Sequence, residues 1–247
     1  MGFGEAFREQ YDCIQALNVV KYYGKFRALN GLNISVQCGR RVALLGPNGA
    51  GKSTALKLLA GLIFPDNGEV LIKGLDPAST EAKSLLGYLP EDAVPYISLS
   101  VRENLEYVAA IRGIQDSEER IDSLIDLLNL NDYENMKVTK ISRGTRQKVS
   151  VAISIIHNPE IVLMDEPLNY LDIPAQLNVI KLLSGMNSTF LISTHILSIA
   201  EKLTDDVIII SHGQEIWKGK REDLKKLGEN EGDTVETIIA RLMENAS

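Results

Sequence analysis

The sequence predicts an α/β fold: a mostly parallel sheet flanked by helices, with an N-terminal antiparallel β subdomain and an inserted α-helical subdomain. Three observations lead there. Short, continuous apolar runs recur at residues 42–45, 161–164, 190–193 and 207–210, as expected of parallel strands covered on both faces. Stretches with apolar residues three and four apart separate these runs, which is the alternation of an α/β core. A glycine-rich turn joins the first run directly to a helical pattern, a strand-loop-helix unit.

The elements follow in order. Residues 14–20 alternate as a strand and 29–36 form a second, read as an antiparallel pair, before the buried strand 41–45. Residues 53–62 form a helix, stopped by Pro65-Asp66-Asn67-Gly68, which hands over to a strand at 69–72. A short apolar run at 86–89 ends at Pro90. From about 91 to 158 the pattern is helical, with 101–112, 118–128 and 145–157 each carrying apolar residues at helical spacing. In the tail, 229–247, Val235, Ile238, Ile239 and Leu242 share one helical face, which suits a helix docked on the core, with a partner-binding helix as the alternative.

Composition narrows the function classes. The 247 residues are 45% hydrophobic and 24% charged, which fits one compact unit. The net charge of −7 argues against a general nucleic-acid binder, since such proteins carry a basic field. The cluster Lys218, Lys220, Arg221, Lys225 and Lys226 is interleaved with Glu222 and Asp223 and reads as a solvated helix face. Cys13 and Cys38 are far apart and form no C-x-x-C, which is read as two reduced thiols in a cytosol and no metal site. The polar start, with Glu5, Arg8 and Glu9, lacks a signal-peptide core, and Ala6 stands where a myristoylation motif needs Ser or Thr. No apolar run approaches the roughly 20 residues that cross a bilayer, so a membrane role would come through a partner.

The chemistry starts at Gly46, Pro47, Asn48, Gly49, Ala50, Gly51, Lys52, Ser53 and Thr54, which match G-x-x-x-x-G-K-[ST] in the required strand-loop-helix setting. Glycines let successive N–H groups turn toward phosphate oxygens, and the helix N-terminus behind them adds partial positive charge. The chain therefore binds a nucleoside triphosphate, with Lys52 on the outer phosphates and Ser53 on Mg²⁺. The strand at 161–164 delivers Asp165 at its C-terminal end, where open α/β sheets bind ligands and where a carboxylate can hold Mg²⁺. Glu166, one residue on, is expected to face the other way and to polarise a water in line with the γ-phosphorus. The strand at 190–193 similarly leads to His195, placed to contact a γ-phosphate oxygen.

Taken together, these motifs resemble the ATP-binding cassette (ABC) ATPases over about residues 14–228. The family's aromatic matches Tyr23, or Tyr22 if the strand register slips by one. Its Walker A motif matches Gly46 to Thr54, its Walker B motif and catalytic glutamate Ile161 to Glu166, its D-loop Leu171 and Asp172, and its switch histidine His195. Ile141-Ser142-Arg143-Gly144-Thr145-Arg146-Gln147 is similar to the family signature, whereas the N-K-x-D motif of a GTPase is missing.

The resemblance implies ATP hydrolysis with Mg²⁺ held by Ser53, Glu91 and Asp165, and with Glu166, His195 and Lys52 as the catalytic groups. It implies a head-to-tail homodimer or heterodimer, in which Ser142, Arg143, Gly144 and Thr145 of one protomer close over the ATP of the other. It also implies separate integral membrane permease subunits, a peripheral place on the cytoplasmic face of the membrane, and export, since 88–113 looks like export-type cassettes. A soluble ABC ATPase of iron–sulfur cluster assembly type is the alternative. Two positions depart from the family. Arg143 stands where it has Gly, and is expected to point outward rather than touch phosphate or a partner carboxylate. Glu91 replaces the Q-loop glutamine.

Overall fold

The computed structural model describes residues 12–194, 202–228 and 234–244. Its first sheet is antiparallel: β1 (Asp12–Tyr23) and β2 (Phe26–Gln37) form a hairpin through Gly24 and Lys25, and β4 (Asn67–Ile72) pairs with the other edge of β1. The second sheet has the order β5 (Leu86–Leu89), β6 (Ile161–Asp165), β7 (Thr189–Ser193), β3 (Arg41–Leu45), β8 (Asp206–Ser211), β9 (Gln214–Lys220). Its pairings are parallel except the last, between β8 and β9.

The continuous apolar runs are explained by the layers on either side. Side chains alternate across a strand, so Ile161, Leu163, Leu191, Ile208 and Ile210 pack with the antiparallel sheet and the apolar face of α1 (Lys52–Leu59). On the opposite face, Val162, Met164, Phe190 and Ile192 pack with the helical region. That region comprises α3 (Val101–Ile111), α4 (Glu118–Leu127) and α5 (Arg143–Ile155), followed after β6 by α6 (Ile173–Ser184). The short α2 (Thr80–Leu85) precedes β5.

Several helix ends are secured by side chains, which satisfy backbone groups that a helix leaves unpaired. Ser100 and Glu103 form a reciprocal capping box on α3, and Asp172 accepts from the Ala175 N–H to cap α6. At C-termini cations do this work: Lys148 Nζ donates to the Leu128 carbonyl at 2.7 Å, and Arg120 to that of Ile155 at 3.2 Å.

The last helix, α8 (Val235–Glu244), follows α7 (Arg221–Lys225). It seats Val235 and Ile238 against Ala43, Val207, Ile209 and Leu224, with Ile239 and Leu242 packed at the margin. The amphipathic stripe is thus a docked face.

Two expectations are corrected. Cys13 and Cys38 are not free thiols but a disulfide, with Cα atoms 4.8 Å apart. They are 25 residues apart in sequence, yet the antiparallel pairing of Asp12 with Gln37 returns the chain to the same place. Nor is the basic cluster one helix face: Lys218 and Lys220 belong to β9, where Lys218 donates to the Ser35 carbonyl, and α7 begins only at Arg221.

Candidate nucleotide site

The phosphate loop runs from the end of β3 into α1, and close packing selects its glycines. A Cβ on Gly46 would sit 2.4 Å from the Ile210 carbonyl oxygen. Gly51 has φ +105°, and a Cβ there would meet Leu29 Cδ2 at 2.6 Å and the Ala28 oxygen at 2.8 Å. Lys52 is only 7% exposed and turns back over the loop, its Nζ donating to the carbonyls of Gly46 at 2.8 Å and Pro47 at 3.1 Å. Burial pulls its pKa below the ordinary lysine value, while Glu166, Asp165 and Glu91 oppose that shift.

Asp165 ends β6 with 2% exposure and accepts a hydrogen bond from the Ser193 hydroxyl at the end of the neighbouring strand. Glu166 does not continue the strand alternation. Its backbone takes φ +49° and its N–H donates to the Ser193 carbonyl at 3.0 Å, so it leaves strand geometry, and both carboxylates line the same cavity. That cavity, of about 400 Å³, is also lined by Asn48, Gly49, Gly51, Lys52, Ser53, Thr54, Glu91 and Tyr23. Glu91 is held above the usual carboxylate range, first by partial loss of solvent and then by the charges of Asp165, Asp92 and Glu166. Gly46 and Pro47 contribute carbonyls to Lys52, and Ala50 is buried in the core; none of the three lines the cavity. His195 lies outside the described residues.

The two tyrosines at the end of β1 lie in different surroundings. Tyr23 lines the cavity, whereas Tyr22 carries the guanidinium of Arg27 at 5.6 Å from its ring centroid. The sequence reading missed Phe26, which pairs with Tyr23 across the turn, is 62% exposed and lines the same cavity. An aromatic directly across a two-residue turn from Tyr23 was the available signal.

A second cavity, of about 410 Å³, is lined by Ser142, Gly144, Thr145, Tyr170, Leu171 and Asp172, together with Tyr133, Lys148 and Ala175. Ser142 caps α5, its Oγ accepting from the Thr145 N–H at 3.1 Å. Arg143 is exposed, as expected, but it does not run free into solvent: its guanidinium lies 3.3 Å from the centroid of the Tyr170 ring. Tyr170, too, was not singled out from sequence.

Comparison with known proteins gives the family. The family described as ABC transporter matches residues 29–169. The chain is 33% identical over 215 residues to the lantibiotic transport ATP-binding protein SrtF of Streptococcus pyogenes, covering 86% of this chain and 93% of the relative. Among solved structures it is similar to an ATP-binding subunit of an ABC transporter, with TM-score 0.85, 27% identity and coverage of 93% and 99%. It is also similar to the dimeric post-hydrolysis cassette MJ0796 bound to ADP and Pi, with TM-score 0.77, 26% identity and coverage of 84% and 98%. A strand-loop-helix phosphate loop, a carboxylate pair at a strand end and these likenesses agree: the chain belongs to the ABC transporter family, as an ATP-binding cassette that hydrolyses ATP.

Proposed function

We propose that the protein is the ATP-hydrolysing subunit of an export-type ABC transporter, working as a head-to-tail dimer beneath separate permease subunits on the cytoplasmic face of a membrane. One observation carries the dimer. Lys52, Ser53, Thr54, Asp165 and Glu166 line one cavity, Ser142, Gly144 and Thr145 line another, and among the described residues none lines both. A second protomer related by two-fold symmetry supplies the missing half twice over. The capped start of α5 then brings free N–H groups and a positive dipole end to the γ-phosphate of its partner's ATP.

Within each site Tyr23 stacks on the adenine, and Lys52 exchanges its loop carbonyls for phosphate oxygens. Glu166 accepts a proton from a water in line with the γ-phosphorus, and His195 contacts that phosphate. The hydroxyl of Ser53 and the carboxylates of Asp165 and Glu91 are hard oxygen donors lining one cavity, which suits Mg²⁺. Bound there with the nucleotide, Mg²⁺ would neutralise charge on the phosphate oxygens.

Among the described residues no helix is long and apolar enough to cross a membrane. A groove of about 820 Å³, lined by Leu62, Val108, Ile111 and Ile114, supports docking of a permease's cytoplasmic helix. Exposed Val94, Tyr96 and Ile97, which follow Glu91, extend the apolar surface on offer. Residues 14–228 form the ATPase unit in this reading, with the helical insert at about 91–158 and the tail at 229–247. The name of SrtF supports transport over iron–sulfur cluster assembly.

The test is E166Q incubated with ATP and run on size exclusion. A stable ATP-dependent dimer is expected; a monomer that hydrolyses ATP at the normal rate would overturn both the dimer and the role of Glu166. Purification from the native membrane should bring an integral membrane protein that stimulates the ATPase. A soluble scaffold as the only stable partner would refute transport.

A further inference from the structure

The loop after β6 lies on the first two turns of α5 through three contacts. Gln147 Nε2 donates to the Pro167 carbonyl at 3.0 Å in a buried setting. The Tyr170 carbonyl oxygen approaches Gly144 so closely that a Cβ there would be 2.7 Å away. Finally, the Arg143 guanidinium stacks on the Tyr170 ring. Tyr170 takes φ +67°, a left-handed backbone uncommon for a bulky residue. The first two contacts hold the loop without any ring. The third holds only Arg143.

Arg143 is the first residue of α5, next to the Ser142 cap, and its long side chain has enough rotors to fold over the first-turn N–H groups of Arg143 and Gly144, which the cap on the Thr145 N–H does not take. Stacked on Tyr170, Arg143 does not itself line the cavity that Tyr170 shares with Ser142, Gly144 and Thr145. We propose that Tyr170 is a positioning residue that holds Arg143 clear of the α5 N-terminus, leaving its N–H groups open to the γ-phosphate brought by a second copy of this chain. The inference rests on the head-to-tail dimer reading above. A guanidinium on an exposed ring is worth about two- to fivefold in a local equilibrium. With two such sites per dimer, loss of the ring weakens ATP-driven dimerisation about five- to thirtyfold.

The experiment compares variants in the E166Q background by sedimentation with ATP, together with nucleotide affinity under conditions where the protein is monomeric. Y170N removes the ring while tolerating the left-handed backbone, and Y170F keeps the ring. Y170N should dimerise five- to thirtyfold more weakly, with monomer ATP affinity unchanged, and Y170F should match its parent. R143G added to Y170N should restore dimerisation, because no guanidinium is left to restrain. Dimerisation of Y170N at parental strength or above overturns the proposal, as does a double variant as weak as Y170N alone. A parental E166Q protein that stays monomeric with ATP overturns the dimer reading itself, and this inference with it.

Discussion

Lys52 Nζ donates to the Gly46 carbonyl oxygen at 2.8 Å, so the lysine closes the very loop that leads into its own helix. The ammonium is desolvated in place, with Asp165 and Glu166 lining the same cavity. Lys52 is thus held over the loop by the carbonyls of Gly46 and Pro47, with its side chain lining the cavity.

Lys52→Ala removes both that charge and the internal tie of the loop. Hydrogen bonds to a charged group contribute about 1.5–3 kcal/mol each, so ATP affinity should fall by about tenfold or more, read by equilibrium titration. Retained affinity would take Lys52 out of the site.

The Cys13–Cys38 bond joins the open end of the β1–β2 hairpin and closes a loop with a sequence separation of 25. A crosslink of that length stabilises by about 3 kcal/mol through the unfolded chain. Cys38 is exposed, so a thiol reductant has access to it. Reductant and the Cys38→Ser variant should lower the urea midpoint by the same amount. An unchanged midpoint in both would mean that the bridge contributes nothing to stability.

His157 sits between α5 and β6, its Nε2 bonded to the Leu86 carbonyl at 2.9 Å. Burial pushes its pKa below the ordinary histidine value, and the charges of Arg112 and Arg120 push the same way. The unfolded chain then binds the proton more readily than the fold does. The stability contributed by the neutral ring is fully present above about pH 6.5, and is lost as the pH falls toward and through the folded pKa. Melting temperature should drop between pH 7.5 and 5.5, and His157→Gln, neutral throughout and able to donate to Leu86, should flatten the drop. An identical slope in both proteins would show that His157 does not titrate as described.

Much of the architecture was legible because it is local. The strand at 41–45 and the short strand at 86–89 come where their apolar runs place them. The Ser142 cap and the stripe on α8 are also written in neighbouring residues, where capping and helical period act over a few positions. The stop expected at Pro65 to Gly68 falls elsewhere: α1 ends at Leu59, just before Gly61 with φ +65°, and Asn67 and Gly68 already belong to β4. The phosphate loop was legible for a related reason: its glycines, lysine and hydroxyls must be contiguous to wrap one phosphate group.

What escaped depends on residues far apart in the chain. Cys13 and Cys38 looked unrelated until antiparallel pairing set them side by side. Glu166 was expected on the far face of its strand, but a hydrogen bond to Ser193 on the next strand accompanies its departure from that geometry, and it shares the cavity with Asp165. Arg143 gave no hint of Tyr170, 27 positions on, because only the folding of the β6 loop onto α5 brings ring and guanidinium together. Contiguous patterns settled the fold class and the phosphate loop, since period, turn and cap are short-range preferences. Which carboxylates share a cavity, which cysteines bond and where Arg143 rests were left to packing between strands and helices that meet only once the chain has closed on itself.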